Sequence, residues 1–590
     1  MPGDRQVLAM KEKMKQKKKS DGTGYVHDIR DITSVRELVL SSCELYADNI
    51  AFLWRDKEQT HTVTYREAGE DIRAVATELL AMGLRGKKIA IMGDNSYQWA
   101  LSYLAVCSGV GIVMPVDKDY GAEQLEFVMR DSGAAAIIYQ DRLQKTVNAA
   151  CADAVTIPFS SFPALISAGR EKIAAGDTGY DTYSLNPHDF GVLLYTSGTM
   201  GVAKGVMLSQ YNIVSNVMEA MRVIHVYEND RALSVLPLHH TYECVAGFLS
   251  FFFSGASVAY NASLRTLMGD LRELQPTVLV VVPLLISTFY KKIRTKYREM
   301  KCGRLIYGLQ YGLAAMLPKG GRRRVFGAVH RIFGGHMRAF LCGAAPLPPE
   351  VFSAFVRYGF DVFTGYGLTE TSPVCTMHSD WYRSPDDVGH PIAGVRVRIT
   401  DPDENGEGEI AIRGNNVMIG YYNNPEETAK VLRDGWFYTG DIGVRKPNGA
   451  IKITGRAKSM IVTEGGKKIF PEELESCLMN SELIGDCFVF QKPDNGNIVA
   501  SVIPSDEAEK SEDGGEAAVA EYIKSVNDKF PAYKKIRSFI LRHIPFEKTS
   551  TKKTKRFSES NLSTDGEIRL DSSRALHGGD KEKSGEKDKK

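Results

Sequence analysis

The stretch "DFGVLLYTSGTMGVAKG", Asp189 to Gly205, joins a short apolar run to a loop of glycines and hydroxyl-bearing residues. The apolar part, Asp189 to Tyr195, predicts a buried strand. The loop glycines allow close approach of the backbone, so consecutive N–H groups can form a nest for phosphate, and Lys204 adds a positive charge. After "MLS", which ends at Ser209, the segment "QYNIVSNVMEAMRVI" has apolar residues at roughly helical spacing. We therefore predict a phosphate-binding loop between a strand and a helix.

The spacing of this loop differs from that of the common nucleotide loop, in which GxxxxGK is followed by Ser or Thr. Here Lys204 is followed by Gly205. The spacing argues against a kinase or ATPase of that class and indicates a phosphate loop of another kind. Taken alone, the stretch also fits a flexible surface turn.

Length and composition set the broad class of the protein. A chain of 590 residues is too long for one hydrophobic core, so at least two domains are expected. Its 43% hydrophobic and 25% charged residues are ordinary for a globular protein, and its net charge of +2 gives no overall attraction to nucleic acid. The nine cysteines form no CxxC pair and no cluster at zinc spacing, which favours reduced thiols and a cytoplasmic protein.

Two segments bear on membrane contact. The N-terminus "MPGDRQVLAMKEKMKQKKKSDG" has no apolar core of signal-peptide length. Its lysines between Lys11 and Lys19 could touch acidic headgroups, although we favour a solvated, flexible basic arm over residues 1–30. The longest uncharged run, Asn95 to Val116, is interrupted by a proline and two glycines. It predicts a buried helix and a buried strand rather than a membrane span.

The pattern of strands and helices changes along the chain. "KKIAIMGDN", "SYQWALSYLAVCSG" and "VGIVMPVD" alternate strand, helix and strand, which indicates parallel sheets covered by helices. "PTVLVVVP", Pro276 to Pro283, predicts another strand, and residues 284–340 are mostly helical in pattern with a basic turn at Lys319 to Arg324. From about residue 392, "GVRVRITD" and "GEIAIRG" alternate with a period of two, as half-exposed strands do. A smaller α+β unit follows Arg456.

Four further stretches accompany the opening loop. They are "CGAAPLPPE" at Cys342 to Glu350, "TGYGLTETSP" at Thr364 to Pro373, "GWFYTGDIG" at Gly435 to Gly443, and "TGRAKSMIVTEGGKKIFPEELE" at Thr454 to Glu475. In this order the five stretches resemble the adenylate-forming family of acyl-CoA synthetases, nonribosomal-peptide adenylation domains and luciferases. The resemblance runs from about Thr62 to Arg556.

The resemblance implies both the fold and the reaction. The expected fold is α/β, with a large N-terminal domain of helix-covered β-sheets and a small β-barrel-like subdomain, followed by a small mobile α+β domain. We place the large domain at 31–456, the small domain at 457–560 and a disordered charged tail at 561–590. The family joins a carboxylate to the α-phosphate of ATP, releases pyrophosphate and passes the acyl group to a thiol. Segment 284–340 and "LPLHHTYE", Leu236 to Glu243, look most like long-chain fatty acyl-CoA ligases.

By resemblance, the opening loop holds the β- and γ-phosphates of ATP. The cradle consists of hydroxyl-bearing residues and glycines: Thr196, Ser197, Gly198, Thr199 and Gly201. Lys204, Thr369 and Glu370 are implied as catalytic residues, with Thr369 donating to the α-phosphate and Glu370 binding Mg²⁺. These roles suit in-line attack at phosphorus, where cations and N–H donors stabilise developing charge. The loop departs from the family at Met200 and Ala203, where Thr and Pro are common.

Three other motifs are expected, by the same resemblance, to bind the nucleoside of ATP. Tyr366 offers an aromatic face to adenine, with Gly367 beside it, and the other side of the base is lined by the backbone of Gly343, Ala344, Ala345 and Pro346. Asp441 matches the carboxylate that accepts both ribose hydroxyls, and Arg456 is expected near the same sugar and the phosphate. In isolation such a Tyr, Asp or Glu is more often a packed turn or cap residue. The five motifs together favour the functional roles.

The remaining assignments concern the acyl group and the thiol. Lys458 matches the hinge between the two domains. Gly465 and Gly466 lie in "EGGKKIFP", which resembles the loop that approaches the CoA thiol. His240 matches the position beside the acyl site, where it acts either as a gate or as a packed histidine.

The late catalytic lysine is assigned to Lys553 in "KTSTKKTKR", Lys548 to Arg556. Lys552 stands where the family usually has glycine, which allows unusual backbone dihedrals. Lys552 as the active amine is the alternative assignment.

ATP, Mg²⁺ and coenzyme A are therefore the expected cofactors and co-substrates of a fatty acid ligase. We expect no nucleic-acid partner, leave peripheral membrane contact open, and expect a monomer or a homodimer. An alternative within the enzymes is a fatty acyl-AMP ligase or an enzyme that transfers to a carrier-protein thiol. A binding scaffold without activity is disfavoured, because Lys204, Glu370, Asp441 and the late lysine are all present.

Overall fold

The computed structural model describes residues 27–570 except residues 57, 197–202, 262, 463–466, 493–495, 507, 511–512, 514, 548–553, 555 and 557. The chain divides between Lys458 and Ser459 into two compact units, called here the large and the small unit. This division lies two residues beyond the predicted limit of the large domain at residue 456.

Strands and helices alternate through the first part of the large unit, as the apolar pattern predicts. In chain order the elements are α1 (Val35–Leu45), β1 (Ile50–Arg55), β2 (Thr60–Thr64), α2 (Tyr65–Ala81), β3 (Lys88–Met92), α3 (Tyr97–Gly109), β4 (Ile112–Val116), α4 (Ala122–Ser132), β5 (Ala136–Tyr139), α5 (Gln144–Ala150), β6 (Val155–Pro158), α6 (Phe162–Ala174), β7 (Phe190–Thr196), β8 (Lys204–Ser209), α7 (Gln210–Val223) and β9 (Arg231–Ser234).

A π-helix at Glu243–Leu249 opens the second part of the large unit. The elements that follow it are α8 (Ser250–Phe253), β10 (Ser257–Tyr260), α9 (Leu267–Glu273), β11 (Val278–Val281), α10 (Pro283–Glu299), α11 (Gly303–Met316), α12 (Lys319–Val325), α13 (Gly327–Ile332), β12 (Ala339–Cys342), α14 (Pro349–Tyr358), β13 (Asp361–Gly367), β14 (Val374–Met377), β15 (His390–Pro391), β16 (Arg396–Thr400), β17 (Gly408–Arg413), β18 (Gly420–Tyr421), α15 (Pro425–Val431), β19 (Leu432–Arg433), β20 (Trp436–Arg445) and β21 (Ile451–Arg456).

The small unit mixes strands and helices. Its elements are β22 (Ile461–Val462), β23 (Lys468–Ile469), α16 (Pro471–Leu478), β24 (Ile484–Gln491), β25 (Ile498–Pro504), α17 (Glu516–Asn527), β26 (Ser538–Leu541), α18 (Glu559–Leu562) and β27 (Glu567–Arg569). Strands β24 to β27 form one four-stranded sheet in sequence order. The predicted α+β character of this region is confirmed.

Two large sheets build the core of the large unit. One has the strand order β18-β8-β7-β4-β3-β5-β6, and the other β15-β14-β13-β12-β11-β9-β10-β1-β2. Their central strands are parallel and largely apolar, as in β3 paired with β4 and β11 paired with β12, which is the pattern of sheets covered on both faces. A third, antiparallel sheet joins β16, β17, β20, β19 and β21, and it lies in the region predicted as β-barrel-like. The α/β fold class is therefore confirmed.

The long uncharged run forms a buried helix and strand as predicted. Helix α3 begins at Ser96, whose hydroxyl accepts the Trp99 N–H at 3.3 Å. All of its residues except Gln98 are buried, and β4 follows inside the parallel sheet. None of the helices that the structure describes combines the length and the apolar character needed to span a bilayer.

The prediction that the opening loop lies between a strand and a helix is wrong, because a second strand comes before the helix. Lys204–Ser209 forms β8, which pairs antiparallel with β7 and brings Thr196 opposite Lys204. Burial of Val206 and Leu208 stabilises this strand, so the loop connects two strands of a hairpin. Helix α7 begins at Gln210, so the helix predicted from the apolar spacing of "QYNIVSNVMEAMRVI" is confirmed.

Three other boundaries differ from the prediction. Arg30, placed in the flexible arm, is buried and donates to the Phe253 carbonyl at 2.6 Å. Residues 319–324, predicted as a turn, belong to helix α12, whose first turn is closed by the Arg322 N–H on the Pro318 carbonyl at 3.1 Å. The disordered tail does not begin at residue 561, because β27 pairs with β26 and adds a strand to the sheet.

Candidate active site

Two loops assigned to the nucleotide follow neighbouring parallel strands. β12 pairs with β13 in parallel register, with Cys342 opposite Thr364. The Gly343–Pro346 loop starts directly after β12, and Tyr366 and Gly367 end β13. In open α/β sheets, ligands bind at the carboxyl ends of the strands. The fold therefore brings these two motifs to one edge of the sheet.

The Gly343 position lies against an aromatic side chain that the sequence did not single out. A Cβ atom at Gly343 would lie 2.7 Å from Cζ of Tyr242, so the close approach requires glycine. The next residue, Ala344, has a φ of +70°, a left-handed conformation that costs an L-residue about 1–2 kcal/mol. Ala344, Ala345 and Pro346 are exposed, so this strained turn is available to a ligand.

Tyr366, Asp441 and Arg456 form one hydrogen-bonded group. The Tyr366 hydroxyl donates to Oδ2 of Asp441 at 2.8 Å, and Arg456 Nε lies 2.9 Å from Oδ1. Asp441 and Arg456 face each other in β20 and β21, and Asp441 is only 2% exposed. Burial, with the neighbouring Asp441 charge, raises the pKa of the Tyr366 hydroxyl well above its usual value, so this hydroxyl stays protonated as a donor.

Gly367 is required by the turn that follows β13. A Cβ atom there would lie 1.7 Å from the carbonyl oxygen of Pro373. No side chain can be accommodated at that distance without moving the backbone. Gly367 therefore fixes how the chain turns from Tyr366 into the Thr369–Thr371 segment, a single 3₁₀ turn that carries Glu370.

Lys204 and Glu370 are joined through Tyr421. Lys204 Nζ lies 5.2 Å from the centre of the Tyr421 ring, within the range of a cation–π contact. The Tyr421 hydroxyl donates to Oε1 of Glu370 at 2.9 Å. Lys204 Nζ also donates to Oε2 of Glu427 at 2.5 Å. The structure thus brings together two predicted residues that are 166 positions apart in the sequence.

The charges of this group balance one another. Hydrogen bonds from Lys204 and Lys430 lower the pKa of Glu427 to about 2, so it is ionised at neutral pH. Burial, with the nearby Glu370 charge, raises the pKa of the Tyr421 hydroxyl, which remains a donor. An anionic ligand that reached Lys204 would have to compete with Glu427 for its ammonium group.

Two buried asparagines hold the segment between Glu370 and β14. Asn416 Nδ2 donates to the carbonyls of Thr371 at 2.9 Å and Val374 at 3.0 Å. Asn216 exchanges two hydrogen bonds with the backbone of Val374, at 2.6 and 3.1 Å. The backbone N–H of Met418 donates to the Glu370 carbonyl at 2.9 Å. The backbone that presents Glu370 is therefore anchored from two directions.

His240 lies just before the π-helix, at the end of a buried polar group. The rings of His239 and His240 are 4.1 Å apart, and burial holds the pKa of His239 well below its usual value. Glu243, at the first position of the π-helix, is fully buried and accepts from the Ser234 hydroxyl at 2.7 Å. Burial raises the pKa of Glu243 to about 8. π-Helical turns often mark functional positions.

Several predicted site residues lie outside the described residues. They are Ser197, Gly198, Thr199, Gly201, Gly465, Gly466, Lys552 and Lys553. Thr196 and Lys204 are described as the register pair that closes the β7–β8 hairpin at the base of the loop. Lys458 is exposed in the Ala457–Ser459 turn, at the division between the two units.

Among the described side chains, Glu370 is a single carboxylate and not part of a metal-binding cluster. Within the described part of the chain, no three side chains of the His, Cys, Asp or Glu type come together as a metal-binding cluster. Mg²⁺ is commonly bound by one or two carboxylates together with substrate phosphates. A single carboxylate near Lys204 fits that mode and does not fit a metal cage made by the protein alone.

The sequence patterns missed the residues that connect the predicted ones. Tyr421 and Glu427 complete the Lys204 group, Tyr242 packs on Gly343, and Asn216 and Asn416 hold the Glu370 backbone. The only local signal was "NPEE", where Asn424 caps helix α15 by accepting the Glu427 N–H at 3.1 Å. Nothing in that signal points to Lys204.

The large and the small unit each match a known protein family. Residues 40–422 match the AMP-binding enzyme family, and residues 458–559 match the AMP-binding enzyme C-terminal domain. A long-chain-fatty-acid–CoA ligase of Mycobacterium bovis is 30% identical over 478 residues, covering 75% of this chain and 77% of the relative. A chloroplastic long-chain-fatty-acid–[acyl-carrier-protein] ligase of Arabidopsis thaliana is 28% identical over 564 residues, covering 80% and 76%.

Solved structures agree with this fold. An anthranilate CoA ligase in complex with anthranoyl-AMP superimposes with a TM-score of 0.71 at 18% identity, covering 89% of this chain and 96% of that chain. ATP-bound MatB from Rhodopseudomonas palustris gives a TM-score of 0.70 at 23% identity, covering 89% of this chain and 97% of MatB. The chain therefore belongs to the AMP-binding enzymes and is an adenylate-forming acid–thiol ligase.

Proposed function

We propose that the protein activates a long-chain fatty acid with ATP and then transfers the acyl group to coenzyme A. The observation that carries the proposal is the pair of groups beside the end of β13. Lys204 and Glu370 are joined through Tyr421, and Tyr366 is joined to Asp441. The first group suits phosphate with its metal, and the second suits a nucleoside.

In the first half-reaction, a carboxylate oxygen of the acid forms a bond to the α-phosphorus of ATP. The bond from that phosphorus to the oxygen bridging the β-phosphate breaks, and pyrophosphate leaves. Lys204 and the proposed cradle residues would stabilise the charge on the leaving phosphates. Glu370 would hold Mg²⁺, which when bound supplies charge neutralisation at the phosphate oxygens. Thr369 would donate to the α-phosphate.

Recognition of the nucleoside falls to residues at the strand ends. Tyr366 would stack on adenine, and the exposed Gly343–Pro346 turn would line the other side of the base. A carboxylate can accept about four hydrogen bonds, so Asp441 can accept ribose hydroxyls while it keeps Tyr366 and Arg456 as partners. Arg456 is well placed for the same sugar because it faces Asp441 in the sheet.

In the second half-reaction, the thiol sulfur forms a bond to the acyl carbon, its proton is lost, and AMP leaves. We propose that Lys553 serves the first half-reaction, and that Gly465 and Gly466 admit the thiol in the second. Lys458 would act as the hinge of a mobile small domain. The division of the chain after Lys458 and the start of the C-terminal family match at residue 458 support this place for the hinge.

A long-chain acid is proposed because the relatives at 28–30% identity are long-chain ligases. His240 would lie on the acyl side, near the Tyr242 ring that packs on Gly343. The structural neighbours include an anthranilate ligase and an o-succinylbenzoate synthetase, so an aromatic acid is the outcome that the test must separate. A carrier-protein thiol in place of CoA is the second candidate, favoured by the Arabidopsis relative.

We further propose that the enzyme works in the cytoplasm as a monomer or a homodimer. The nine cysteines, all free in the structure, suit a reducing compartment.

The test is a panel of acids of rising chain length, together with acetate and anthranilate, assayed with ATP and Mg²⁺ and with either CoA or acyl-carrier protein. Pyrophosphate and acyl-thioester are measured in the same samples. Each further methylene that is buried should tighten binding by about 0.8 kcal/mol, roughly fourfold, until the acyl chain is longer than its binding site. An enzyme fastest on acetate or anthranilate would contradict the proposed substrate class, and an enzyme active only with the carrier protein would replace CoA as the acceptor.

A further inference from the structure

Helix α11 exposes a row of large apolar side chains. Leu305, Leu309, Leu313 and Met316 lie at helical spacing on one side of the helix, and we call them the leucine face. Their exposed fractions are 65%, 66%, 51% and 85%. The row extends over about 17 Å, from a rise of 1.5 Å per residue. Exposed apolar side chains that form one contiguous row mark an interaction surface more often than scattered ones do.

The opposite side of α11 is firmly packed. The buried Tyr307 places its hydroxyl 2.9 Å from that of Tyr358 on α14, and its ring lies 5.1 Å from that of Tyr297 on α10. Ala314 is fully buried. The leucine face is therefore presented by a helix whose orientation is fixed by the core, and it is not a consequence of a loosely attached segment.

The helix carries almost no charge on its exposed side. Arg304 is the only charged residue in the sequence of α11. Gly308 and Gly312 lie between the leucines, and a Cβ atom at either would meet nothing within 4 Å. Packing within the described structure does not account for these glycines. A helix that is apolar on its exposed side as well as its buried side is suited to an apolar environment outside the protein.

Positive charge is concentrated in the segment that contains this apolar face. Residues 284–331 contain five lysines and seven arginines but one acid, Glu299. Exposed cations lie in α10, in the turn before α11, at the start of α11 and in α12: Lys292, Lys296, Lys301, Arg304 and Arg324. The chain as a whole has a net charge of only +2, so this concentration is local.

We propose that the leucine face and its flanking cations dock the protein on an anionic membrane surface. Helices of this kind lie in the interface with their apolar side chains between the headgroups and the acyl chains, while Lys and Arg contact anionic lipid. The docking stands independently of which acid the enzyme uses.

Other occupants fit the surface less well. A second copy related by a two-fold axis would place the same patch against itself and bring like charges together. The N-terminal residues 1–26 carry seven cations and three acids, so they would also meet charge of the same sign. The C-terminal residues 571–590 contain one large apolar side chain, Leu576. One such side chain cannot cover the four apolar side chains of the leucine face.

The test measures binding of the full chain to phosphatidylcholine vesicles with and without phosphatidylserine, in the absence of substrates. We expect binding that requires phosphatidylserine and weakens with salt. Leu305→Asp with Leu309→Asp should lower the affinity at least about tenfold. The matched control is Leu40→Asp, because Leu40 is a helical leucine that is 49% exposed on α1, and it should bind as the parent does.

A charge series tests the cations separately. Lys301→Glu with Arg304→Glu should lower the affinity for anionic vesicles about tenfold or more, since each basic residue near the surface contributes roughly a fivefold factor. Lys87→Glu with Lys145→Glu changes the net charge equally at exposed lysines elsewhere in the large unit and should have little effect. Equal losses in both pairs would overturn the site and leave only a response to net charge.

A spectroscopic measurement needs no change to the leucines. Cys302 is exposed directly before α11, while the other eight cysteines are buried or half-buried. A polarity-sensitive dye on Cys302 should shift to the blue on phosphatidylserine vesicles. Absence of vesicle binding by the parent, or binding without a dye shift, would overturn the proposal. A dimer that the leucine substitutions dissociate, with vesicle binding unchanged, would make the face a protein interface instead.

Discussion

The Tyr421 hydroxyl donates to Oε1 of Glu370 at 2.9 Å. The ring of the same tyrosine faces the Lys204 ammonium group, so a cation and a carboxylate are held at a fixed spacing without neutralising each other. Lys204 is instead paired with Glu427. A phosphate and its metal ion need a cation and a carboxylate presented in this way.

Glu370→Gln is expected to lower Mg²⁺-dependent pyrophosphate release by about a hundredfold, the usual cost of removing one group that stabilises developing charge. The amide keeps the size of the side chain and can still accept from Tyr421. Tyr421→Phe is the comparison variant, since it removes only the hydroxyl that orients the carboxylate and should cost about tenfold, the lower end of the effect of losing such a partner. A Gln variant with full activity and an unchanged Mg²⁺ requirement would remove Glu370 from its assigned role.

Asp441→Asn is expected to raise the KM for ATP, because the two proposed charge-assisted hydrogen bonds to ribose would become weaker bonds to an amide. Such bonds contribute about 1.5–3 kcal/mol each, so a loss of about 10- to 100-fold in kcat/KM is expected. Tyr366→Phe retains the ring that would stack on adenine, so its kcat/KM should fall less than that of the Asn variant. Steady-state kinetics with ATP varied measures both. An unchanged KM in the Asn variant would argue against ribose recognition by this residue.

The sequence predicted the strands and motifs well where the signal is local. The apolar runs at β4, β7 and β11 are strands, and the uncharged run before β4 is a buried helix. Strand β8 was missed because its polar first residue, Lys204, was assigned to the loop. The strand forms by pairing with β7, and the sequence of β8 alone does not show this pairing. Pairing with the neighbouring strand overrides the pattern of the residues themselves.

The contacts of the site could not be predicted from spacing. Lys204 and Glu427 are 223 residues apart, and Tyr366 and Asp441 are 75 apart. The first pair joins strand β8 to helix α15, and the second joins β13 and β20, which belong to two different sheets. A single sequence does not specify how such elements pack together. The motif residues were found because each carries its own local pattern, whereas Tyr421 and Asn416 carry none.

Gly367→Ala is expected to destabilise the large unit, because the new methyl group would lie 1.7 Å from the Pro373 carbonyl oxygen. The cost of such overpacking is about 1–3 kcal/mol or more. Gly308→Ala is the matched control on α11, where a Cβ atom meets nothing within 4 Å, and it should stabilise by about 1 kcal/mol. Denaturant midpoints for the two variants should therefore move in opposite directions. An unchanged or raised midpoint for the Gly367 variant would contradict the close approach at Gly367.

Glu243→Gln is expected to change how stability depends on pH. Burial raises the pKa of Glu243 from 4.5 to about 8, so between these values the unfolded chain releases a proton that the folded protein keeps. Stability therefore falls as pH rises through this window and is unaffected by Glu243 below it. The neutral glutamine escapes this loss, which amounts to at most about 3 kcal/mol at pH 7.

The measurement for Glu243 is the free energy of unfolding of both proteins at pH 5 and pH 7.5. The difference between variant and parent should move in favour of the variant at the higher pH. A difference that stays constant across the window would mean that Glu243 does not titrate there.

The last prediction concerns the division between the two units. Lys458 lies in the exposed Ala457–Ser459 turn, directly at the division after residue 458. The proposed mechanism needs two arrangements of the small domain, because Lys553 and the incoming thiol cannot occupy one site together. A proline at 458 would hold φ near −65° and remove an N–H. Hinge residues absorb changes in φ and ψ, so Lys458→Pro should retain much of adenylation and lose most of thioester formation.

Two further variants separate the hinge from simple loss of a charge. Lys458→Ala removes the ammonium group but leaves φ free, so it should retain both half-reactions. Lys553→Ala should lose adenylation and still convert supplied acyl-adenylate to acyl-CoA, the reverse of the proline variant. Pyrophosphate release and acyl transfer from acyl-adenylate are assayed separately. Equal losses of both half-reactions in the proline and Lys553 variants would contradict a two-arrangement mechanism, because a single arrangement makes both steps depend on the same geometry.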